Sequence, residues 1–226
     1  MEDYSKLWKF VGRESGLDKG EIYKETKIKV QFLSMQEMVC RVKKDTELLI
    51  RKNAKAHQIS KSAFLKLLKE KLPNLYLIWE KPEEANGKCY VIPFLKKQGC
   101  NLKEIDFIPV EDYSNYDVLI YINEGNIEKR RQEWSKKNSC ILTTKEVELF
   151  LIIHEMIHAY ERLNEYTGVH PEQEDYDMLS SQILHKWTSN NTSNGCQGCS
   201  FLNSNSSFCR RLKKKVNIKN SCKFKT

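Results

Sequence analysis

The chain has 226 residues, a net charge of +8 and a hydrophobic fraction of 40%. This length accommodates one domain with a substantial core and room for an appendage. No stretch of about 18 uncharged apolar residues occurs, so no membrane-spanning helix is expected. The first six residues, MEDYSK, lack the basic-then-apolar layout of a secretory signal. We therefore expect an intracellular protein, cytoplasmic or nuclear, with export as the alternative.

The positive charge is concentrated at the C-terminal end. Residues 188–226 contain eight Lys and Arg residues and no Asp or Glu, whereas residues 1–187 contain 30 basic and 30 acidic residues. We expect the part before residue 188 to have no overall electrostatic preference and the part after it to be a basic tail. The stretch 210–225 could contact nucleic acid, anionic lipid or an acidic partner. The alternatives are a solvated tail or a localisation signal.

The N-terminal third is predicted to be mainly helical. Residues 1–55 are rich in Lys and Glu and form a predicted helical extension, interrupted by a strand at 27–33. Residues 60–71 carry apolar side chains at helical spacing, and Pro73-Asn74 ends this second helix.

Four strands are predicted between this region and the motif described below. Residues 75–80 and 89–95 are expected to pair as a hairpin, because Asn86-Gly87 between them is a strong turn signal. Residues 118–122 form a continuous apolar run that is typical of a buried strand. Residues 139–142 are predicted to be a short edge strand.

The most specific motif lies at residues 154–158, which have the sequence HEMIH. With five histidines and 22 glutamates in the chain, composition gives on the order of 0.01 chance matches to HExxH. Two histidines four residues apart on a helix project from one face, so both imidazoles can reach a single Zn²⁺. A glutamate directly after the first histidine can deprotonate a zinc-bound water. The alternative is an inert core helix that happens to carry these residues.

The motif therefore predicts a zinc hydrolase, most often a metallopeptidase. His154 and His158 are its expected metal ligands, and Glu155 is the expected general base. The flanking sequence predicts a helix from Val147 to Tyr166, because Thr143 to Glu146 fits the S/T-x-x-E capping box. Gly168 is a suitable C-terminal stop.

A catalytic zinc usually takes a third protein ligand, which must come from beyond Gly168. Pro171 suits the first turn of a new helix whose inward face carries Tyr176, Leu179, Ile183 and Trp187. Two candidates for the third ligand remain open. His170 lies just before that helix and would give a His₃ site, whereas Glu172 lies on its inward face and would give a His₂Glu site.

The eight cysteines fall into two groups. Four are scattered and are predicted to be ordinary buried thiols, namely Cys40, Cys89, Cys100 and Cys140. Four crowd into the tail and could hold a second, structural zinc or form disulfides after export, namely Cys196, Cys199, Cys209 and Cys222. The Ser- and Asn-rich stretch 188–207, at the start of this tail, is predicted to be a linker or loop.

The order of helix, strands, HExxH helix and further helix is similar to that of the zincin metallopeptidases. Residues 154–160, HEMIHAY, resemble the motif helix of the SprT-like (Spartan) metallopeptidases, and His170 is similar to the third zinc-binding histidine of that family. The resemblance implies a cysteine-rich basic segment after the protease domain and cleavage of proteins associated with DNA. It predicts a zincin-like domain at 1–187 and a Cys-rich basic tail at 188–226.

The expected fold class is therefore α+β, with a small mixed sheet packed on the HExxH helix and a following helix. The expected function is a zinc-dependent endopeptidase acting on a protein or peptide substrate. One alternative is a nucleic-acid or protein-binding module with a structural or vestigial zinc site. Another is an exported effector or toxin protease.

Overall fold

The computed structural model describes residues 4–18, 26–71, 73–91, 116–137, 142–164 and 173–191. Within these ranges the protein is a mixed α+β fold, mostly helical, with a small three-stranded sheet. The helices are α1 (Ser5–Ser15), α2 (Met35–Ala56), α3 (Lys61–Lys71), α4 (Pro73–Glu80), α5 (Glu124–Lys137), α6 (Thr144–Leu163) and α7 (Gln173–Asn191). The strands are β1 (Ile28–Leu33), β2 (Gly87–Val91) and β3 (Val118–Asn123).

Strand β3 is the centre of the sheet. It pairs in parallel with β1 and antiparallel with β2, and all six of its residues are buried. A strand covered on both faces is expected to be a continuous apolar run, as the segment from Val118 to Ile122 is. The strand order β1-β3-β2 leaves β2 with only one partner strand among the described residues.

Two hydrophobic clusters cover the two faces of the sheet. On one face, alternate residues of β2 and β3 pack with helices α1, α6 and α7 in the larger cluster. On the other face, Tyr90, Leu119 and Tyr121 pack against Met38 and Val42 of α2. The sheet is thus the middle layer of three, and the α6 layer contains the HEMIH motif.

Helix α6 begins where the sequence predicted. The Thr143 hydroxyl accepts a hydrogen bond from the Glu146 amide at 3.2 Å, and the Glu146 carboxylate accepts one from the Thr143 amide at 2.8 Å. This reciprocal capping box is confirmed. The helix ends at Leu163, with Asn164 as its C-cap. The predicted end at Tyr166 is therefore wrong by three residues, and the predicted stop at Gly168 lies outside the described residues.

Helix α1 packs directly on α6. The Trp8 and Tyr160 rings are stacked with centroids 3.8 Å apart, and the Tyr160 hydroxyl donates to the Trp8 carbonyl at 3.0 Å. Gly12 allows this contact, because a Cβ at that position would lie 2.3 Å from the Tyr160 hydroxyl oxygen. Helix α1 is therefore part of the core around the motif helix.

The predicted hairpin is wrong. Residues 75–80 belong to helix α4, and β2 pairs with β3 instead. Pro73 at the first position of α4 is pre-set for a helix, and a short apolar run alone does not distinguish a buried strand from a helix. A 3-10 turn at Pro82–Glu84 precedes Asn86-Gly87, which lead into β2.

Most of the other predicted helices and strands are present in the structure. The helices near 1–55 and at 60–71 and the strands at 27–33 and 118–122 are confirmed. Helix α5 was not predicted, because its many charged residues leave little apolar periodicity. Residues 139–141 of the predicted edge strand lie outside the described residues.

The C-terminal part of the chain lies mostly outside the described residues. Helix α7 continues to Asn191, so its last residues fall within the stretch predicted to be a linker. Residues 192–226, with the tail cysteines and the basic stretch 210–225, are not described. None of the described helices combines the length and apolar character that crossing a bilayer requires.

The substitution Gly12→Ala tests the packing of α1 on α6. The new methyl group would force apart the Trp8–Tyr160 contact, and overpacking of this kind costs about 1–3 kcal/mol. We expect a lower Tm in thermal unfolding followed by circular dichroism. Lys9→Ala, at an exposed position of the same helix, is the matched control and should leave the Tm nearly unchanged. A Gly12→Ala protein as stable as wild type would contradict this packing.

Candidate metal centre

The two motif histidines converge at their Nε2 atoms. His154 Nε2 and His158 Nε2 are 3.1 Å apart on successive turns of α6. Two nitrogen ligands of one tetrahedral Zn²⁺ are about 3.3–3.4 Å apart, given zinc–nitrogen bonds of about 2.0–2.1 Å. The observed separation is therefore close to what a shared zinc requires. Both side chains are only slightly exposed, at 12% for His154 and 17% for His158.

The opposite nitrogen of each ring faces a carboxylate. His154 Nδ1 lies 3.4 Å from Asp177 Oδ1 on α7, and His158 Nδ1 lies 3.6 Å from Glu161 Oε2 on α6. Carboxylates behind metal-binding histidines orient the rings and make their free nitrogens more basic. The donor set on this face of α6 thus fits a zinc ion, with Nε2 as the coordinating atom of both rings.

Tyr176 holds one of these carboxylates in place. Its hydroxyl donates to both Glu161 oxygens, at 2.7 and 2.6 Å. Its buried ring lies against the His158 ring, with centroids 4.4 Å apart. Helix α7 therefore supports both histidines, through Tyr176 at His158 and through Asp177 at His154. The predicted inward face of this helix is confirmed, since Tyr176 and Ile183 belong to the core and Leu179 and Trp187 pack against it.

The electrostatic surroundings keep His154 neutral. Burial lowers the pKa of His154 to about 3, and the neighbouring His158 acts in the same direction. A neutral imidazole is the form that binds a metal, so no proton has to be displaced from His154 near neutral pH.

Glu155 points toward strand β2. A Cβ at position 87 would lie 2.6 Å from Glu155 Oε1 and 2.8 Å from its Cγ, so a larger residue there would require the Glu155 side chain to move. Burial raises the pKa of Glu155, while the nearby charges of His158, Arg162 and Lys88 act in the opposite direction. A carboxylate with a raised pKa is better suited to accept and return a proton near neutral pH.

Side chains from α5 fix the turn that leads into β2. Asn126 donates to the carbonyls of Glu83 and Ala85, at 2.9 and 3.1 Å. Arg130 Nε donates to the Asn86 side-chain oxygen at 2.8 Å. These contacts set the position at which Gly87 passes Glu155.

Arg162 fixes β2 from the motif helix. Its Nη1 donates to the Cys89 carbonyl at 2.6 Å and lies 2.9 Å from Cys89 Sγ. The Cys89 thiol is buried as predicted, and burial raises its pKa to about 12, so it remains protonated. Cys40 is exposed, and its predicted burial is wrong, because it lies on the solvent side of the amphipathic helix α2.

The remaining predicted site residues lie outside the described residues. They are His170, Glu172, Cys196, Cys199, Cys209 and Cys222. Among the residues that are described, no three His, Cys, Asp or Glu side chains gather as a set of metal ligands.

Sequence reasoning missed Gly87, Glu161, Arg162 and Asp177. Asp177 follows Tyr176, which was assigned to the inward face of α7, and Glu161 lies one turn after His158. Those positions were the available signals for the two carboxylates. Gly87 and Arg162 are recognised only from the contact between β2 and α6, which no local pattern indicates.

No protein-family model, no curated protein and no solved structure matches this chain. The interpretation of the site therefore rests on its own geometry and chemistry.

Metal analysis tests the histidine pair. After loading with zinc, we expect His154→Ala to contain one equivalent of zinc less than the wild type, because the remaining imidazole of the pair cannot chelate the ion alone. His57→Ala, at an exposed imidazole, is the control and should retain the full content. Full zinc content in His154→Ala would contradict the assignment.

A Cys196→Ser, Cys199→Ser double variant tests the second, structural zinc predicted for the tail. This zinc would be lost independently of the one at His154.

The substitution Asp177→Asn tests the carboxylate behind His154. Loss of such a supporting group typically weakens metal binding about 10–100-fold. We expect a reduction in that range in a competition titration against a zinc chelator. Asp175→Asn, at an exposed carboxylate of the same helix, should leave the affinity unchanged. Equal affinities of the two variants would show that Asp177 has no part in the site.

Proposed function

We propose that the protein is a zinc-dependent metallopeptidase with a zincin-like architecture. His154 and His158 are two of its zinc ligands, and the third comes from the chain outside the described residues, with His170 and Glu172 as candidates. The observation that carries this proposal is the 3.1 Å approach of the two Nε2 atoms beside a buried glutamate. When bound, Zn²⁺ supplies a water whose pKa is lowered toward about 7 and an electrophile for the scissile carbonyl.

Glu155 acts as general base and then as general acid. Its carboxylate accepts a proton from the attacking water and delivers it to the leaving amine. Its burial excludes competing solvent, and the close approach of Gly87 limits where the carboxylate can lie. The attack of water leaves a negative charge on the scissile carbonyl oxygen, which a hydrogen-bond donor would stabilise. The Tyr160 hydroxyl does not suit this role, because it donates to the Trp8 carbonyl on the α1 side.

Strand β2 is the edge that best suits an extended substrate. The Asn123 amide donates to the Asn86 carbonyl, so the antiparallel alternation directs the polar backbone groups of Lys88 and Tyr90 toward β3. The backbone N–H and C=O groups of Gly87, Cys89 and Val91 then point away from β3, toward the outer edge of β2. This edge pairs with no strand among the described residues. A peptide added at this edge would run beside Glu155.

The substitution Glu155→Gln tests the catalytic role. The amide keeps the shape of the side chain but cannot accept the proton, so we expect unchanged zinc content and turnover lower by several orders of magnitude. Cleavage of unstructured protein substrates, followed by mass spectrometry of the products, is the measurement. Glu148→Gln, earlier on the same helix, is the matched control and should retain activity. Undiminished cleavage by Glu155→Gln would refute the assigned role.

A further inference from the structure

The outer edge of β2 is already occupied at one point. Of the backbone groups that point away from β3, the Cys89 carbonyl accepts the short hydrogen bond from Arg162 Nη1. Arg162 lies one helical turn after His158, on the same side of α6 as Glu155. The metal-binding helix thus holds the strand above it by a side chain that is not itself a ligand.

This contact restricts how a peptide can pair with β2. A strand added to an edge uses the outward groups of every second residue, which here are Gly87, Cys89 and Val91. Because the Arg162 guanidinium already donates to the Cys89 carbonyl, it competes there with a peptide amide, and the outward carbonyls of Gly87 and Val91 are favoured for pairing. Gly87 is the one that lies against Glu155.

We propose that Arg162 is a positioning residue that sets the register of the bound peptide. It holds β2 at a fixed distance from α6 and removes the Cys89 carbonyl from the pairing edge. An extended polypeptide then pairs through Gly87, which places one peptide bond beside Glu155 and the zinc. This inference rests on the proposed peptidase function and adds the selection of one scissile bond.

The chemistry of arginine suits this role. Its planar, always charged group donates several hydrogen bonds in fixed directions, so it can hold a backbone carbonyl more firmly than a lysine can. A charged donor also makes a stronger bond to the carbonyl than a neutral one does. The side chains of Asn126 and Arg130 fix the preceding turn, but they bind groups at residues 83–86 and leave the pairing edge of β2 open.

The test uses the zinc-loaded full chain with Arg162→Met and Arg162→Lys. Methionine keeps most of the packing volume and removes the donors. We expect unchanged zinc content, faster amide hydrogen exchange across residues 87–91, and cleavage of a defined peptide at neighbouring bonds in addition to the wild-type one. A displacement of about 1 Å can cost about 10²-fold in rate, so we expect kcat to fall by roughly that factor for Arg162→Met. The kcat and the exchange rate of Arg162→Lys should lie between those of the wild type and those of Arg162→Met.

Arg131→Met is the matched control. Arg131 also donates to a backbone carbonyl, that of Leu142 at 3.3 Å, but away from β2. It should leave both the exchange of residues 87–91 and the cleavage position unchanged.

Two results would overturn the proposal. One is unchanged exchange of residues 87–91 in Arg162→Met, and the other is an unchanged cleavage position, whatever the value of kcat, because the lost charge of Arg162 also acts on the pKa of Glu155. A wild-type protein that binds zinc and cleaves no peptide would instead refute the peptidase function and with it the register. The exchange measurement would then still decide whether Arg162 holds β2.

Discussion

The approach of strand β2 to helix α6 is the contact on which the candidate site depends. Gly87 passes so close to Glu155 that a side chain at position 87 would displace the Glu155 side chain. The approach is fixed from two directions, by α5 through the turn at residues 83–86 and by Arg162 through the Cys89 carbonyl. A strand held in this way limits where the Glu155 carboxylate can lie, in the region where His158 also lowers its pKa.

Two carboxylates lie behind the two histidines of the candidate site. Each histidine has a carboxylate behind it, and Tyr176 in turn binds Glu161. The Nδ1 atoms of His154 and His158 lie 3.4 and 3.6 Å from these carboxylates, and carboxylates in this position orient the rings so that both Nε2 atoms are directed at one point. Helix α7 contributes to this arrangement at both histidines, in addition to the apolar side chains that it places in the core.

The sequence alone predicted what depends on local patterns. The HEMIH motif, the capping box at Thr143 and the apolar run of β3 each depend on residues close together in the chain, and each was found where expected. The helix at 73–80 was mistaken for a strand, because its short apolar run has no clear period and its packing against α2 and α3 is a tertiary effect. The roles of Gly87, Arg162 and Asp177 arise from contacts between separate elements. No spacing rule could reveal the roles of Gly87 and Arg162, whereas the position of Asp177 beside Tyr176 on the inward face of α7 was a signal that could have been used.

The stacking of Trp8 on Tyr160 has a consequence for how the protein is made. These residues are separated by 152 positions, so the first helix emerges from the ribosome long before its partner exists. Until most of the chain has been synthesised, the apolar side of α1 lacks its native cover, and contacts between such distant segments form slowly. We expect the nascent chain to depend on chaperones during this interval, and the proposed binding of zinc at α6 to be among the last steps of maturation.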